Sequence, residues 1–146
     1  MAIEVVAYQP ELAQIFAGLH GEAGVDDQVL QDPKTHIIEP GGNIFFARVE
    51  GEIVGTVAMI PHTDKTFELA KLIVEPDHQG QGIGRELIET CLAFAKDYHL
   101  DEITLSANAE IEGAICLYES VGFMPTGTPS DAPGQGTLEM SYKVIH

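Results

Sequence analysis

Between Val74 and Arg85 the chain reads Val74-Glu75-Pro76-Asp77-His78-Gln79-Gly80-Gln81-Gly82-Ile83-Gly84-Arg85, and no other stretch restricts the fold as much. An apolar run stops at a proline, which cannot donate to a strand ladder. Glycines follow at every second position, and an amphipathic pattern begins at once. Glycine lets the backbone turn tightly and approach a ligand with no Cβ in the way. The first-turn amides of a helix lack internal partners and point outward. Backed by the helix dipole, they form an anion site suited to a pyrophosphate, with Arg85 as a nearby positive charge. A tight connection that binds nothing would use the same glycines, so the segment alone is not diagnostic. Two phosphate loops of known pattern do not fit. A Walker loop ends in Lys-Ser or Lys-Thr, whereas this one ends Gly84-Arg85-Glu86. A Rossmann loop usually follows the first strand and is answered by an acid ending the second. Here the loop lies mid-chain, and Asp101 and Glu102 stand at the start of the next strand instead of ending it.

The flanking patterns extend this strand-loop-helix unit in both directions. Ile3 to Tyr8 is strand-like, and Pro10 opens a helical stretch with Leu12, Ile15, Phe16 and Leu19 on one face. Gly21 to Gly42 is polar and poorly patterned, with room for a short helix around Gln28 to Leu30. Asn43 to Val49 and Ile53 to Ile60 flank Glu50-Gly51-Glu52, which signals a hairpin. Thr66 to Val74 is the next strand. Ile83, Leu87, Ile88, Cys91, Leu92, Ala95 and Tyr98 then recur at helical spacing and predict a long helix from about Gly82 to Tyr98. Glu102 to Ala107 reads as strand, and about Glu110 to Ser120 as helix, with Ile111, Ala114, Ile115 and Tyr118 on one face and Gly122 past its end. Phe123-Met124 begins a short strand, a loop rich in Gly and Pro covers Thr126 to Gly136, and Thr137 to Val144 is the last strand. The expectation is a single α/β domain over residues 1–146: a mixed twisted sheet of about six to seven strands flanked by helices. The strands on either side of the long helix should pair in parallel through a right-handed crossover.

Charge and cysteine usage narrow the partners. Seven Lys and Arg face 23 Asp and Glu, a formal charge of -16, which repels nucleic acid and anionic membranes and attracts cations. Amines are cations at neutral pH, but solubility or a salty setting would select the same balance. No apolar run approaches the roughly 20 residues needed to span a bilayer, and Met1-Ala2-Ile3-Glu4 has no signal-peptide character. Cys91 and Cys116 fall in helical patterns and suggest no disulfide framework. The six histidines show no metal-ligand spacing. A reduced, cytoplasmic protein without a metal is expected.

At this point the residues resemble the GCN5-related N-acetyltransferase (GNAT) superfamily. The family signature is Gln or Arg, two residues, Gly, one residue, Gly or Ala; here Gln79, Gly80-Gln81, Gly82, Ile83, Gly84. Glu68-Leu69-Ala70-Lys71-Leu72-Ile73-Val74-Glu75-Pro76 looks like the family's fourth strand. Ala114-Ile115-Cys116-Leu117-Tyr118-Glu119-Ser120-Val121-Gly122-Phe123 resembles its later motif, A-x-x-L-Y-E-x-x-G-F. The specific match covers about Thr66 to Phe123; the front half agrees only in element order. The resemblance implies splayed fourth and fifth strands and an acetyl-CoA site. The amides of Gln79, Gly80, Gln81, Gly82, Ile83, Gly84 and Arg85 would hold the pyrophosphate. The backbone of Leu72, Ile73 and Val74 would pair with the pantetheine arm, and amides at the end of this strand would polarise the thioester carbonyl.

The resemblance also implies direct attack by an amine on the thioester, which needs orientation, a proton acceptor and a donor to the departing sulfur. Tyr118 matches the family's donor tyrosine, although its helical stripe also suits a core residue. Glu68 is the first candidate for the base and otherwise an exposed strand carboxylate. His62, after Pro61, is a second candidate facing the same cleft. Cys116 has no paired base in sequence and Cys91 lies on the core stripe, which argues against an acyl-cysteine route. Many relatives carry Asn three residues before the later motif's alanine. That place is Ile111 here, and Asn108, three residues earlier, is the candidate cofactor contact or a helix-starting residue. The expected activity is N-acetyl transfer to a primary amine of a small molecule or protein, with an inactive acyl-CoA-binding module as the alternative. Gly21 to Gly42 and Thr126 to Gly136 are the candidate acceptor wall. Quaternary state stays open, with a homodimer among the options.

Overall fold

Hairpin chemistry starts the sheet. Glu50 and Gly51 both adopt positive φ, 51° and 85°, the two-residue turn whose twist matches antiparallel strands. It joins β2 (Asn43–Val49) to β3 (Glu52–Pro61) with Val49 opposite Glu52. The computed structural model describes residues 2–21, 27–108, 113–126 and 137–144. The other strands are β1 (Ile3–Ala7), β4 (Thr66–Val74), β5 (Glu102–Asn108), β6 (Met124–Pro125) and β7 (Thr137–Lys143). They form one sheet in the order β1-β2-β3-β4-β5-β7-β6. The β4–β5 pairing is parallel and the other described pairings are antiparallel. This is the mixed α/β sheet expected from the sequence, at its upper strand number.

Helices cover both faces. α3 (Ile83–Asp97) and α4 (Ala114–Ser120) lie on one side. Ile83, Leu87, Ile88, Cys91, Phe94 and Ala95 of α3 are buried there against Phe45, Val57, Leu69, Ile103 and Leu105. On the other side α1 (Ala13–Leu19), entered through a 3-10 turn at Pro10–Leu12, and α2 (Gln28–Gln31) bury Phe16 and Leu30 on Ile44, Phe46 and Ala58. A single π turn, Lys34–Ile38, follows α2 and adds Ile37 to that core. It lies in the stretch that showed no sequence pattern.

Two helical expectations are corrected. Tyr98 does not belong to the core stripe: it is 63% exposed, and Phe94 is buried in its place. α3 ends at Asp97, so Tyr98 falls beyond the packed face and stacks on Phe94 from outside at 4.5 Å between ring centroids. Ile15 of α1 is likewise exposed, while Phe16 is fully buried. The N-terminal part of the α4 expectation, residues 109–112 including Ile111, lies outside the described residues, as does most of the Gly/Pro-rich loop, 127–136.

Candidate active site

The site begins where β4 leaves β5. The two strands pair only at Thr66 with Glu102, Phe67 with Ile103 and Glu68 with Thr104. Beyond Glu68, β4 stays paired with β3 as far as Val74 opposite Gly55, and β5 stays paired with β7 to Asn108 opposite Thr137. From Leu69 onward, β4 therefore presents main-chain N–H and C=O groups to a widening gap. Such an edge is a template for an extended partner carrying amides.

A bulge re-aims this edge. Between the pairs Thr56–Ile73 and Ala58–Ala70, β4 holds one residue more than β3. Lys71 there has a φ of 58°, a left-handed conformation that costs a non-glycine residue roughly 1–2 kcal/mol. Its Nζ donates to Asp27 Oδ2 at 2.6 Å. Asp27 also caps α2, its Oδ1 accepting from the N–H of Val29 at 2.9 Å and of Leu30 at 3.3 Å. One carboxylate thus ties α2 to the bulge. The Lys71 ammonium holds the Asp27 carboxyl below its ordinary value.

At the far end of β4 lies the glycine loop. Gly80 and Gly82 take φ of 79° and 86°, the backbone that glycine adopts without strain, and Gly82 is the cap residue of α3. The first intrahelical bond drawn from the loop is Glu86 N–H to the Gly82 carbonyl at 3.1 Å. The amides of Ile83, Gly84 and Arg85 precede it and are left for a ligand. Gln79 Nε2 donates to the Val74 carbonyl at 3.0 Å and fastens the loop to the strand end. Arg85 is split between Glu89, 2.9 Å away, and Ser120 Oγ, 3.3 Å from Nη1. An exposed i,i+4 pair of this kind is worth a few tenths of a kcal/mol, so Arg85 is easily redirected to a phosphate.

These parts enclose one cavity of about 680 Å³. Among the expected residues, Leu72, Ile73, Val74, Gln79, Gly80, Gly82, Ile83, Gly84, Arg85 and Tyr118 line it. Gln81 is exposed and does not, and Glu68 lies outside it. Asn108 closes β5 opposite Thr137; its side chain lies outside the described residues. The lining also includes His78, Gly113 and Leu117, which sequence reasoning did not single out as site residues. Gly113 and Leu117 share a helical turn, Leu117 N–H donating to the Gly113 carbonyl at 2.9 Å. That i,i+4 spacing beside Tyr118 was the available signal. His78 Nδ1 is buried with no hydrogen-bond partner among the described residues. An orphan of that kind suits a polar ligand.

The cavity fits the pyrophosphate and amide-bearing arm of coenzyme A: free amides and a redirectable cation at one end, an open strand edge along the side. Tyr118 stands on its wall, packed edge-on against Phe123 at 5.9 Å. Burial, and secondarily the Cys91 thiol, hold the phenol above its ordinary value. It therefore stays a proton donor across the neutral range. Burial also pushes the Cys91 thiol well up, so it is no nucleophile. Glu68 sits on the opposite face. Phe67 and Leu69 point into the core under α3, so alternation turns Glu68 toward the α1 side, where its cross-strand partner Ile60 packs. Its Oε1 meets His62 Nε2 at 2.8 Å. The two candidate bases are thus one hydrogen-bonded pair.

Comparison with known proteins gives this geometry a lineage. Residues 40–125 match the family model described as the acetyltransferase (GNAT) domain. N-acetyltransferase 8 of Rattus norvegicus is 36% identical over 99 residues, 64% of this chain and 45% of the relative. The chain thus spans about half the length of the curated relatives it matches. Among solved structures, a GNAT-family acetyltransferase from Staphylococcus aureus Mu50 superposes with a TM-score of 0.81 at 21% identity, covering 99% of this chain and 100% of that one. A GNAT-family acetyltransferase from Elizabethkingia anophelis, solved with acetyl-CoA bound, gives 0.73 at 19% identity, with 97% of each chain covered. Together with the parallel strands that part beyond Glu68 and the glycine loop that follows, the family match over residues 40–125 means that this chain belongs to the GNAT acetyltransferase family.

Proposed function

We propose that the protein transfers the acetyl group of acetyl-CoA to a primary amine by direct attack. The single observation that carries this reading is the β4 edge beyond Glu68, unpaired on its β5 side, followed across the Gly80–Gly82 turn by the amides of Ile83, Gly84 and Arg85. A ligand must supply amides along one part and a diphosphate at the other, and coenzyme A has both in that order.

In this reading the pantetheine arm adds as a strand on Leu72, Ile73 and Val74, with the diphosphate on the helix N-terminus. The Gln79 side chain keeps the loop in register, and Arg85 exchanges Glu89 for phosphate oxygen. The thioester then lies near the bulge at Lys71. Main-chain N–H groups there would polarise the carbonyl, with the Lys71 side chain held by Asp27. The amine enters from the α1 face, loses its surplus proton toward the Glu68 side and attacks the carbonyl carbon. The C–S bond breaks as Tyr118 gives its hydroxyl proton to sulfur. Asn108, at the end of β5, is carried as a further cofactor contact.

The test combines calorimetry with a thiol-release assay. Acetyl-CoA should bind and raise the melting temperature, and free CoA should appear with at least one amine from a panel of polyamines, amino acids, aminoglycosides and N-terminal peptides. Absence of binding at millimolar cofactor would defeat the reading. Tight binding with no release across the panel would favour an acyl-CoA-binding module of the same fold. Two free cysteines, Cys116 exposed and Cys91 buried, are consistent with a reducing compartment, and we propose a cytoplasmic location on that ground; a fractionation experiment tests it.

A further inference from the structure

We propose that His62 and Glu68 work as one relay on the acceptor face, with His62 Nδ1 as the first acceptor of the amine's proton and Glu68 as the residue that positions its ring. The inference rests on the acetyl-transfer reading and deepens it.

The pair stands at the fork of the sheet. Glu68 makes the last parallel contact, opposite Thr104, before β4 and β5 part. It points away from α3 and α4, so it reaches the gap from the side opposite Tyr118. In this relay the donor and acceptor of protons approach the thioester from the two faces of the sheet, where β4 and β5 part. Glu68 cannot serve alone with both oxygens free, because Oε1 is bound to His62 Nε2 at 2.8 Å. A carboxylate only accepts, so Nε2 carries the hydrogen, and in the neutral ring Nδ1 keeps its lone pair. A carboxylate behind an imidazole fixes tautomer and orientation and stabilises the imidazolium that forms. His62 is 52% exposed against 32% for Glu68, so the imidazole is the more accessible partner.

The ring is held at its base as well. The N–H groups of His62 and Thr63 both donate to the Thr66 carbonyl, at 2.9 and 3.1 Å. Thr63 Oγ1 accepts from the N–H of Lys65 and of Thr66, at 3.2 and 2.9 Å. This closed turn gives His62 a fixed backbone although it lies beyond the end of β3. A second cavity of about 400 Å³ opens beside it, lined by Pro40, Pro61, His62, Thr63, Asp64 and Phe67. The other charged groups nearby are mostly spoken for. Asp64 is the carboxylate in that cavity, Lys65 Nζ is bound to the His99 carbonyl at 3.1 Å, and Glu102 is paired with Lys143 at 3.1 Å.

The acceptor arrives as an ammonium and gives one proton to His62 Nδ1, forming an imidazolium against Glu68. The freed lone pair makes the C–N bond while the C–S bond breaks. Tyr118 protonates the departing sulfur, and the second amine proton restores the phenol through water. The imidazolium then releases its proton to solvent. Net products are the amide, free CoA and one proton. The acceptor class is an amine charged at the working pH, since an amine already neutral has no use for the first step.

The experiment is kcat/KM against pH for wild type, His62→Gln and Glu68→Gln, with two acceptor amines of different pKa and acetyl-CoA affinity measured in parallel. His62→Gln should lose about a hundredfold or more at neutral pH, recover at alkaline pH where the amine deprotonates itself, and keep acetyl-CoA affinity within about threefold of wild type. Glu68→Gln should shift the rising limb, and the double variant should be no worse than His62→Gln, as for groups acting as a unit. A His62→Gln enzyme with wild-type rate and profile would overturn the relay while leaving acetyl transfer intact. A wild type that binds acetyl-CoA and acetylates nothing would defeat the transferase reading instead. The pair is then judged by NMR of the His62 ring: an Nε2–H whose proton is shifted downfield by the carboxylate in wild type and moves back in Glu68→Ala supports it, and an Nδ1–H tautomer in wild type refutes it.

Discussion

At Tyr118 core packing meets the proposed chemistry in one side chain. Its ring packs on Phe123, its body lies against the α3 core, and its edge reaches the cavity wall. Replacing it with Phe keeps the packing and removes only the hydroxyl. Turnover should fall about a hundredfold with acetyl-CoA affinity nearly unchanged, read by steady-state kinetics beside calorimetry. Gly82→Ala should do the reverse: with φ at 86° the new side chain strains the cradle, so cofactor affinity falls while the acetyl-transfer step, once the cofactor is bound, changes little. At this scale the sequence was largely readable. Gly80 and Gly82 advertise positive φ because little else tolerates it. Lys71 was not readable, because nothing in an apolar run distinguishes a lysine that will turn left-handed. Its side chain is held by Asp27, which stands 44 residues away.

Among elements, the short α2 is held by its ends more than by its length. Asp27 caps it and grips Lys71. Loss of a cap costs about 1 kcal/mol, and the lost ion pair adds to that. Asp27→Ala should lower the melting temperature and raise KM for the acceptor, because α2 and the bulge come apart. The pH dependence has a definite sign. Asp27 has its folded pKa depressed by Lys71, so its stabilisation is present above the ordinary carboxylate range and is lost as pH falls through the lower folded value. The melting difference between wild type and Asp27→Asn should therefore be full at neutral pH and shrink on acidification below about 4.

Helix ends explain which elements were legible. Gly122 marked the end of α4, and it closes there with Phe123 N–H on the Tyr118 carbonyl at 3.0 Å and Gly122 N–H on Glu119 at 3.1 Å. α3 closes in the same way, with Leu100 N–H on Ala95 at 2.9 Å and His99 N–H on Lys96 at 3.2 Å. His99 takes the left-handed turn there, φ 56°, without a glycine to announce it. Periodicity alone carried the stripe on to Tyr98, one residue too far. Leu100 is the residue that returns to the core, at 2% exposure. Within that stripe, Leu87 is fully buried against the sheet. Leu87→Ala should cost about 2–5 kcal/mol, measured by denaturant unfolding.

For the whole molecule, the formal charge of -16 acts at a distance that contacts do not. A cationic acceptor should be drawn in, and the attraction should fade with ionic strength as the Debye length shrinks. Raising salt from about 20 mM to about 300 mM should therefore raise KM for a polyamine and leave KM for an uncharged-side-chain amino acid amide less affected. The succession of strands and helices and the parallel β4–β5 pairing followed from the chain's patterns, whereas the place of β7 between β5 and β6 did not, because periodicity and turn residues are local. The parting of β4 from β5 is a property of two strands together. No residue spells it out, and only the family resemblance raised it beforehand.

That parting has a kinetic signature of its own. Amides of β4 beyond Glu68 that face the gap have no partner strand there, so in the free protein they should trade hydrogen for deuterium quickly although they lie mid-sheet. A ligand that fills the gap becomes a borrowed strand. Slowed exchange confined to residues 69–74 and the first turn of α3 would report its arrival before any chemistry occurs.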